Sequence, residues 1–393
     1  MLELFLALIL GITGGIITGL IPGLHTNLVT SLLIVIYPTL GLPPEPAIVF
    51  ITALALTHLI IDYIPSILLG APDEDSFLAT LPGHELLLKG QGYTATLLAR
   101  QGATHGTLIA LLISPFFLIF IPKIQALIQI ILPYLLLFIL LLIIFRETLW
   151  HEALIIATLA GLLGSLTFSL PIKEPLVPLL SGLFGLAGLL TSLKTNPALP
   201  PQTIQPLKEY IPFTTKFLAW IITPFCSFLP GIGSGHAATI IAEKVKPSSK
   251  EFLYITSCTG SMVLILSITT LIALNKTRSG LAAALDVLIP TFTTQSYLLI
   301  IATLLVTLTT TYALFPFLAR TMLTLITKVP YKAVTLATSF ILIAIMLALT
   351  NLPGILVFIT ATLLGYCTIQ SGIRRINLMA ALIVPAITYY ILN

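Results

Sequence analysis

Long apolar runs, broken by short polar interruptions, organise the whole chain. Runs long enough to cross a bilayer, about 20 residues, fall near 1–20, 46–70, 97–121, 124–145, 151–170, 252–274 and 296–318. Slightly shorter ones lie near 25–41, 176–192, 213–229, 333–350, 354–370 and 376–392. Those near 236–243, 281–290 and 322–328 are too short to cross alone and are expected to be half-helices or re-entrant pieces. Continuous stretches such as Leu108 to Phe120 lack the alternation of barrel strands. The pattern predicts an all-α polytopic membrane protein of roughly ten membrane elements, with at least two broken pairs.

The long polar interval, "KTNPALPPQTIQPLKEYIPFTTK" from Lys194 to Lys216, carries too much proline for a regular helix. It divides the chain into an expected first membrane repeat (1–193), a Pro-rich linker (194–212) and a second repeat (213–393). "GLIPGLHTNLV" is echoed by "SFLPGIGSGHAATII", with Pro22 matching Pro230 at an offset of 230 − 22 = 208. "SILLGAPDEDSFLAT" is echoed by "TLIALNKTRSGLAAA", with Pro72 matching Lys276 at 276 − 72 = 204. Ala157-Thr158 matches Ala361-Thr362 at the same offset, 361 − 157 = 204. Two homologous halves, expected as inverted repeats, follow from three anchors in one order and nearly one register. Gly/Pro-interrupted segments at matching places in duplicated halves point to a transporter's binding site. Unwound backbone survives at membrane depth only where protein or a water-filled cavity surrounds it.

Composition agrees. The 393 residues are 57% hydrophobic and 8% charged, against about 25% charged in soluble domains, so a multi-pass protein of the cell membrane is expected. Met1 to Leu20 has no cationic start and is expected to be a retained element. Cys226, Cys258 and Cys367 lack metal-ligand spacing. The formal charge of +4 is spread over short loops, and no nucleic-acid partner is expected.

Two Pro-Gly loops are the first candidates for chemistry. Pro22, Gly23, His25, Thr26 and Asn27 form one, and Pro230, Gly231, Gly233, Ser234 and His236 the other. Each precedes a helix start, with Thr26 or Asn27 capping Leu28 to Tyr37 and Ser234 capping Ala237 to Glu243. Free N–H groups there suit an anion; helix packing through small residues is the alternative. A second pair sets Asp73, Glu74 and Asp75 against Asn275, Lys276 and Arg278, as a coupling-ion site or gate opposite substrate-binding cations, or as ordinary loops. His58 and Asp62 share a helix face and suit ion coupling or a structural bond. "GHE" and "WHE" lack the second histidine of a zinc-hydrolase helix, and no catalytic or metal-ligand set is expected.

The Pro-Gly-Leu loop, the block from Ile64 to Asp73, "LPGHELLLKGQG" (Leu81 to Gly92) and "PGIGSGHAA…EK" (Pro230 to Lys244) together resemble the TctA family, the large membrane subunit of tripartite tricarboxylate transporters. The match is nearly full length and looks like a compact archaeal branch. The resemblance implies secondary transport of a small organic anion, a carboxylate, coupled to Na+ or H+, with no other cofactor. It also implies a small membrane subunit and an extracytoplasmic binding protein as partners. His25 stands where the family's loop has glycine, and "APDEDS" replaces a neutral run. Two other functions stay open: a polyprenyl-phosphate translocase, taking a lipid phosphate in the same cavity, and a membrane-embedded enzyme built on His58, Asp62, His84 and His105.

Overall fold

A computed structural model describes residues 2–21, 43–70, 77–172, 175–195, 199–207, 209–227, 233–289 and 291–392; among them there is no strand. Among the described residues, nine helical segments are long and apolar enough to cross a membrane. Helix α1 covers Leu2–Leu20. Helices α2 (Pro44–Ile61) and α3 (Tyr63–Leu68) make one rod jointed at Asp62. After the short α4 (Thr80–Leu88) come α5 (Gly92–Phe145) and α6 (Trp150–Ser169). Helix α7 (Leu176–Leu180) passes through a π-turn at Ser181–Leu186 into α8 (Ala187–Thr195).

Beyond the Pro-rich segment lie α9 (Phe213–Ser227), α10 (Ser234–Val245), α11 (Ser249–Leu274) and α12 (Gly280–Leu288). Then follow α13 (Thr294–Thr327), α14 (Tyr331–Leu349) and α15 (Leu352–Gln370). A 3₁₀ turn at Arg375–Met379 leads into α16 (Ala380–Leu392). Matching starts recur at a near-constant interval: 249 − 44 = 205 for α11 and α2, 294 − 92 = 202 for α13 and α5, and 352 − 150 = 202 for α15 and α6.

Two expected breaks are bridged. The runs 97–121 and 124–145 join in α5, and 296–318 and 322–328 join in α13. In α5 Pro122 removes one hydrogen bond, but packed neighbours let the helix continue through it; in α13 the gap is only Ala319-Arg320-Thr321, which a helix carries without a break. A straight 54-residue α5 would be about 80 Å long, yet its two ends lie at one end of the bundle. The Gly92 N–H donates to the Gln202 side chain, Glu85 accepts from Ser249 at the start of α11, and Arg146 bonds Glu243 just before that helix. Helix α5 therefore doubles back, and Pro115, Pro122 and Pro133 lie within it. Helix α13 runs antiparallel to the first part of α5, because its last turn, Leu323 to Thr327, lines a surface cleft with Leu199 to Gln202.

Two rods form the centre. The most apolar window of Pro44–Leu68 is 94% buried and that of Ser249–Leu274 72%, as expected for helices apolar on every side. The outer helices expose large side chains such as Phe116, Phe138, Phe317 and Phe340, the surface lipid would cover. Glycines set the closest crossings, since only a missing side chain lets backbones approach so far. A Cβ on Gly106 of α5 would lie 2.3 Å from the Cys258 carbonyl of α11. One on Gly164 of α6 would lie 1.8 Å from the Ala381 carbonyl of α16, and one on Gly365 of α15 2.3 Å from the Leu183 carbonyl of the π-turn. Residues before the Pro-rich segment thus pack chiefly on residues after it.

Candidate functional site

Helix α10 begins inside the protein. Ser234 and His236 are buried, and with 12 residues α10 reaches only about 18 Å, too short to cross a bilayer of about 30 Å. The helix starts at Ser234, with Gly233 as the extended cap, rather than after Ser234 as expected. Glycine at position 235 lets this first turn lie directly against Phe77, where a Cβ would press within 2.9 Å of the ring. The Gly233 N–H donates to Nδ1 of His236 at 3.3 Å, which leaves the proton of the neutral ring on Nε2. Burial pushes the His236 pKa down to about 4, against a small opposing effect of the Leu382 backbone. Nε2 is buried and makes no well-formed hydrogen bond among the described residues, although the Leu382 backbone lies close enough to draw weakly on its proton. The first-turn N–H groups have no partner within their own helix and carry the positive end of its dipole.

Phe77 also meets the π-turn. Its ring centroid lies 4.8 Å from that of Phe184, and the Arg375 guanidinium sits 5.4 Å from the Phe184 centroid. Nη2 of Arg375 donates to the Leu183 carbonyl at 3.2 Å and to that of Phe184 at closer range. Arg375 is 8% exposed, its Nε has no partner, and among the described residues no carboxylate pairs with it. His84 of α4 feels that charge: burial first, then Arg375, lower its pKa to about 4.

The preceding arginine differs completely. Arg374 donates to Glu147 at 2.6 Å and lies 3.6 Å from Glu243, which also takes Arg146 at 2.6 Å; Asn377 donates to Glu147 at 2.9 Å. This network ties the ends of α5 and α10 to the turn before α16. One arginine of the pair is satisfied at the water-facing end while the other turns inward.

A separate polar group lies at the joint of α2 and α3. His58 and Asp62 are each 5% exposed. Nδ1 of His58 is 3.1 Å from the Thr18 hydroxyl, and the Ser66 hydroxyl is 3.4 Å from both Asp62 oxygens. Tyr63 donates to the Thr256 carbonyl of α11 at 3.2 Å, fixing the joint against that rod.

The other expected residues are dispersed. Asn275 ends α11 in the left-handed conformation, φ 52°, and is exposed, as is Lys276. Arg278 is half-buried beside Tyr389 and Tyr390, with its pKa lowered by burial. Those tyrosines end α16, whereas Arg375 begins the rod, about 20 Å away along it. His58, His84 and His105 have different neighbours, His105 lying 2.9 Å from the Tyr254 hydroxyl, and no group of three potential metal ligands occurs among the described residues. Pro22, Gly23, His25, Thr26, Asn27, Asp73, Glu74, Asp75, Pro230 and Gly231 lie outside the described residues.

Sequence reasoning missed Arg375, Phe77 and Phe184. The available signal was Arg374-Arg375 at the head of an apolar run, which reads as an ordinary loop pair.

Spans, lipid-facing apolar surface and a helix that starts in the interior define a multi-pass membrane protein. The chain belongs to the tripartite tricarboxylate transporter TctA family, which it matches over residues 5–380, so its class is that of a transporter component. It is 32% identical over 377 residues to an uncharacterized protein of Methanocaldococcus jannaschii, covering 92% of each chain. No solved structure matches it.

Proposed function

We propose that the protein is a secondary active carrier of a small organic anion, a carboxylate, coupled to Na+ or H+. The observation that carries this is the buried start of α10, where helix N–H groups and the Nε2 of a neutral histidine, in no well-formed hydrogen bond, face the interior. Such a helix end is suited to an anion, and the family match supplies transport as the setting. Residues 1–193 and 213–393 are duplicated halves joined by 194–212. The constant interval between helix starts supports the duplication, and the antiparallel course of α5 and α13 supports inversion. The short helices α4, α10 and α12 are then the broken elements expected of a repeat transporter.

Asp62 is the coupling-cation residue on this proposal, because a buried ionisable group within a span is usually functional and the Ser66 hydroxyl faces both its oxygens. Gating falls to the acidic stretch Asp73 to Asp75. A small membrane subunit and an extracytoplasmic binding protein complete the assembly, as the family's tripartite name suggests.

The test is uptake by the purified protein in liposomes, offered citrate, succinate and acetate under imposed Na+ or H+ gradients. Gradient-stimulated accumulation of a carboxylate is expected. Movement of a polyprenyl phosphate between leaflets, with no carboxylate uptake, would overturn it in favour of the lipid translocase.

A further inference from the structure

We propose that Arg375 supplies the charge that holds the transported anion, with Nε2–H of His236 as a second donor. The inference rests on the carrier function proposed above and assigns the residue that performs its recognition.

An ionised guanidinium out of water costs several kcal/mol unless its charge is compensated. Arg375 is 8% exposed and is met by two neutral carbonyls and an aromatic face. Those groups engage Nη2 and the ring-facing plane, and they leave Nε without a partner. Glu147 and Glu243, the acids bound by its chain neighbours Arg374 and Asn377, are already taken by Arg374, Arg146 and Asn377. A buried arginine that serves only packing would be expected to take one of them. Here its neighbour in sequence does so instead.

Arg375 and His236 belong to one locus. Gly235 rests on the Phe77 ring, Phe77 meets Phe184, and Phe184 meets Arg375, with every step shorter than 6 Å. His84 borders the same charge and stays neutral near pH 7. The locus therefore offers a fixed cation, neutral N–H donors and aromatic walls. An anion with a short carbon spine matches it: oxygens on the donors, apolar atoms on the rings. The π-turn contributes directly, since π-turns release backbone carbonyls from the usual ladder and these carbonyls orient the guanidinium. The Lys276 and Arg278 cations of the sequence pattern lie elsewhere and do not serve this locus.

The test measures binding of radiolabelled citrate and succinate, and of inorganic phosphate, to wild-type protein, Arg375→Gln and Arg375→Lys in lipid nanodiscs. Losing a charge-assisted partner should weaken carboxylate binding on the order of 10- to 100-fold in Arg375→Gln. Arg375→Lys should fall between, because it keeps the charge without the planar fork. Wild-type affinity in a folded Arg375→Gln protein would overturn the assignment and leave the carrier function standing. If wild type binds none of the three anions, the carrier function fails and the assignment fails with it.

Should Arg375→Gln not fold, phenylglyoxal labelling of the wild type decides, read by fragment mass spectrometry. Citrate should protect Arg375 while leaving Arg374 labelled as before. Equal labelling of Arg375 with and without citrate, in protein that binds citrate, would overturn the proposal, because a merely structural arginine gains no protection from ligand.

Discussion

Gly164→Ala should loosen the contact between α6 and α16 more than any other single methyl group added at the glycine crossings described above. The new Cβ would lie 1.8 Å from the Ala381 carbonyl oxygen and 2.6 Å from its carbon. Ordinary contact begins near 3.4 Å, so the backbones must part by 3.4 − 1.8 = 1.6 Å. A gap of about 1 Å already forfeits up to about half of the attraction between facing atoms, and overpacking typically costs about 1–3 kcal/mol. Against this, alanine in a helix interior gains about 0.5–1 kcal/mol over glycine. The net expectation is a loss of about 1 kcal/mol, or a melting temperature lower by roughly 3 °C. Gly365→Ala needs a smaller parting, 3.4 − 2.3 = 1.1 Å, and should cost less. Gly233→Ala is the control for stability, since its Cβ enters open space at a φ of −120°. Thermal unfolding in one detergent, followed by fluorescence-detected size exclusion, ranks the three variants. If Gly164→Ala melts at or above the wild type, the crossing is not as tight as described and the reasoning fails.

Acid should destabilise the fold through His236. Its folded pKa of about 4 lies below the ordinary 6.5, so the unfolded chain takes up the proton first. Its stabilisation is full above pH 6.5 and is lost as pH falls toward 4, by about 3 kcal/mol at 1.36 kcal/mol per unit. Melting between pH 7 and 4.5 should show a steeper acid loss in wild type than in His236→Gln, and parallel curves would count against it. Glu243→Gln removes the carboxylate shared by Arg146 and Arg374, whose side chains are 44% and 49% exposed. With that solvent screening the loss should stay within about 1 kcal/mol and shrink in high salt; a larger, salt-independent loss would refute the screening argument. Lys89, Arg146, Lys250 and Arg374 gather at the end of the bundle where α11 begins, which the positive-inside rule makes cytoplasmic. In a Cys367→Ser background, Lys246→Cys should react with an impermeant thiol reagent only from the cytoplasmic side, and Lys276→Cys only from the other. The reverse labelling would invert this orientation.

Much of the architecture could be read from apolar length alone. The run near 151–170 became Trp150–Ser169, and that near 252–274 became Ser249–Leu274, because lipid permits few alternatives to a helix in such a stretch. Where the reading split α5 and α13, the interruptions were short ones, Pro122-Lys123 and Ala319-Arg320-Thr321, and a helix passes through a single basic residue without ending. The polar locus was only half legible. His236 lies beside an obvious Gly-rich break, but nothing local distinguishes Arg375 from Arg374. Their fates separate only when Glu147 and Glu243 arrive from distant helices to satisfy one of them. Lys276 and Arg278 drew attention by their place opposite an acidic run, yet α11 and α12 carry them to the far end of α16. Contacts made across some two hundred residues are not written in the spacing of either partner.

The exchange of packing partners constrains how the protein can be made. When the ribosome has delivered α5 and α6, their glycine-lined faces have nothing to meet, because Cys258 and Ala381 are still untranslated. While α1 can already dock on α2 through Gly11, Gly15 and Gly19, α5 and α6 must wait in the bilayer for these partners, held apart or loosely held by an insertion factor. Docking of α5 and α6 becomes possible only as α11 and then α16 emerge, and α16 is also the rod that follows Arg375. A nascent chain stalled before residue 375 should therefore have α11 seated on α5 while the face of α6 that meets Ala381 stays open, leaving an interval in which membrane proteases could act on that side.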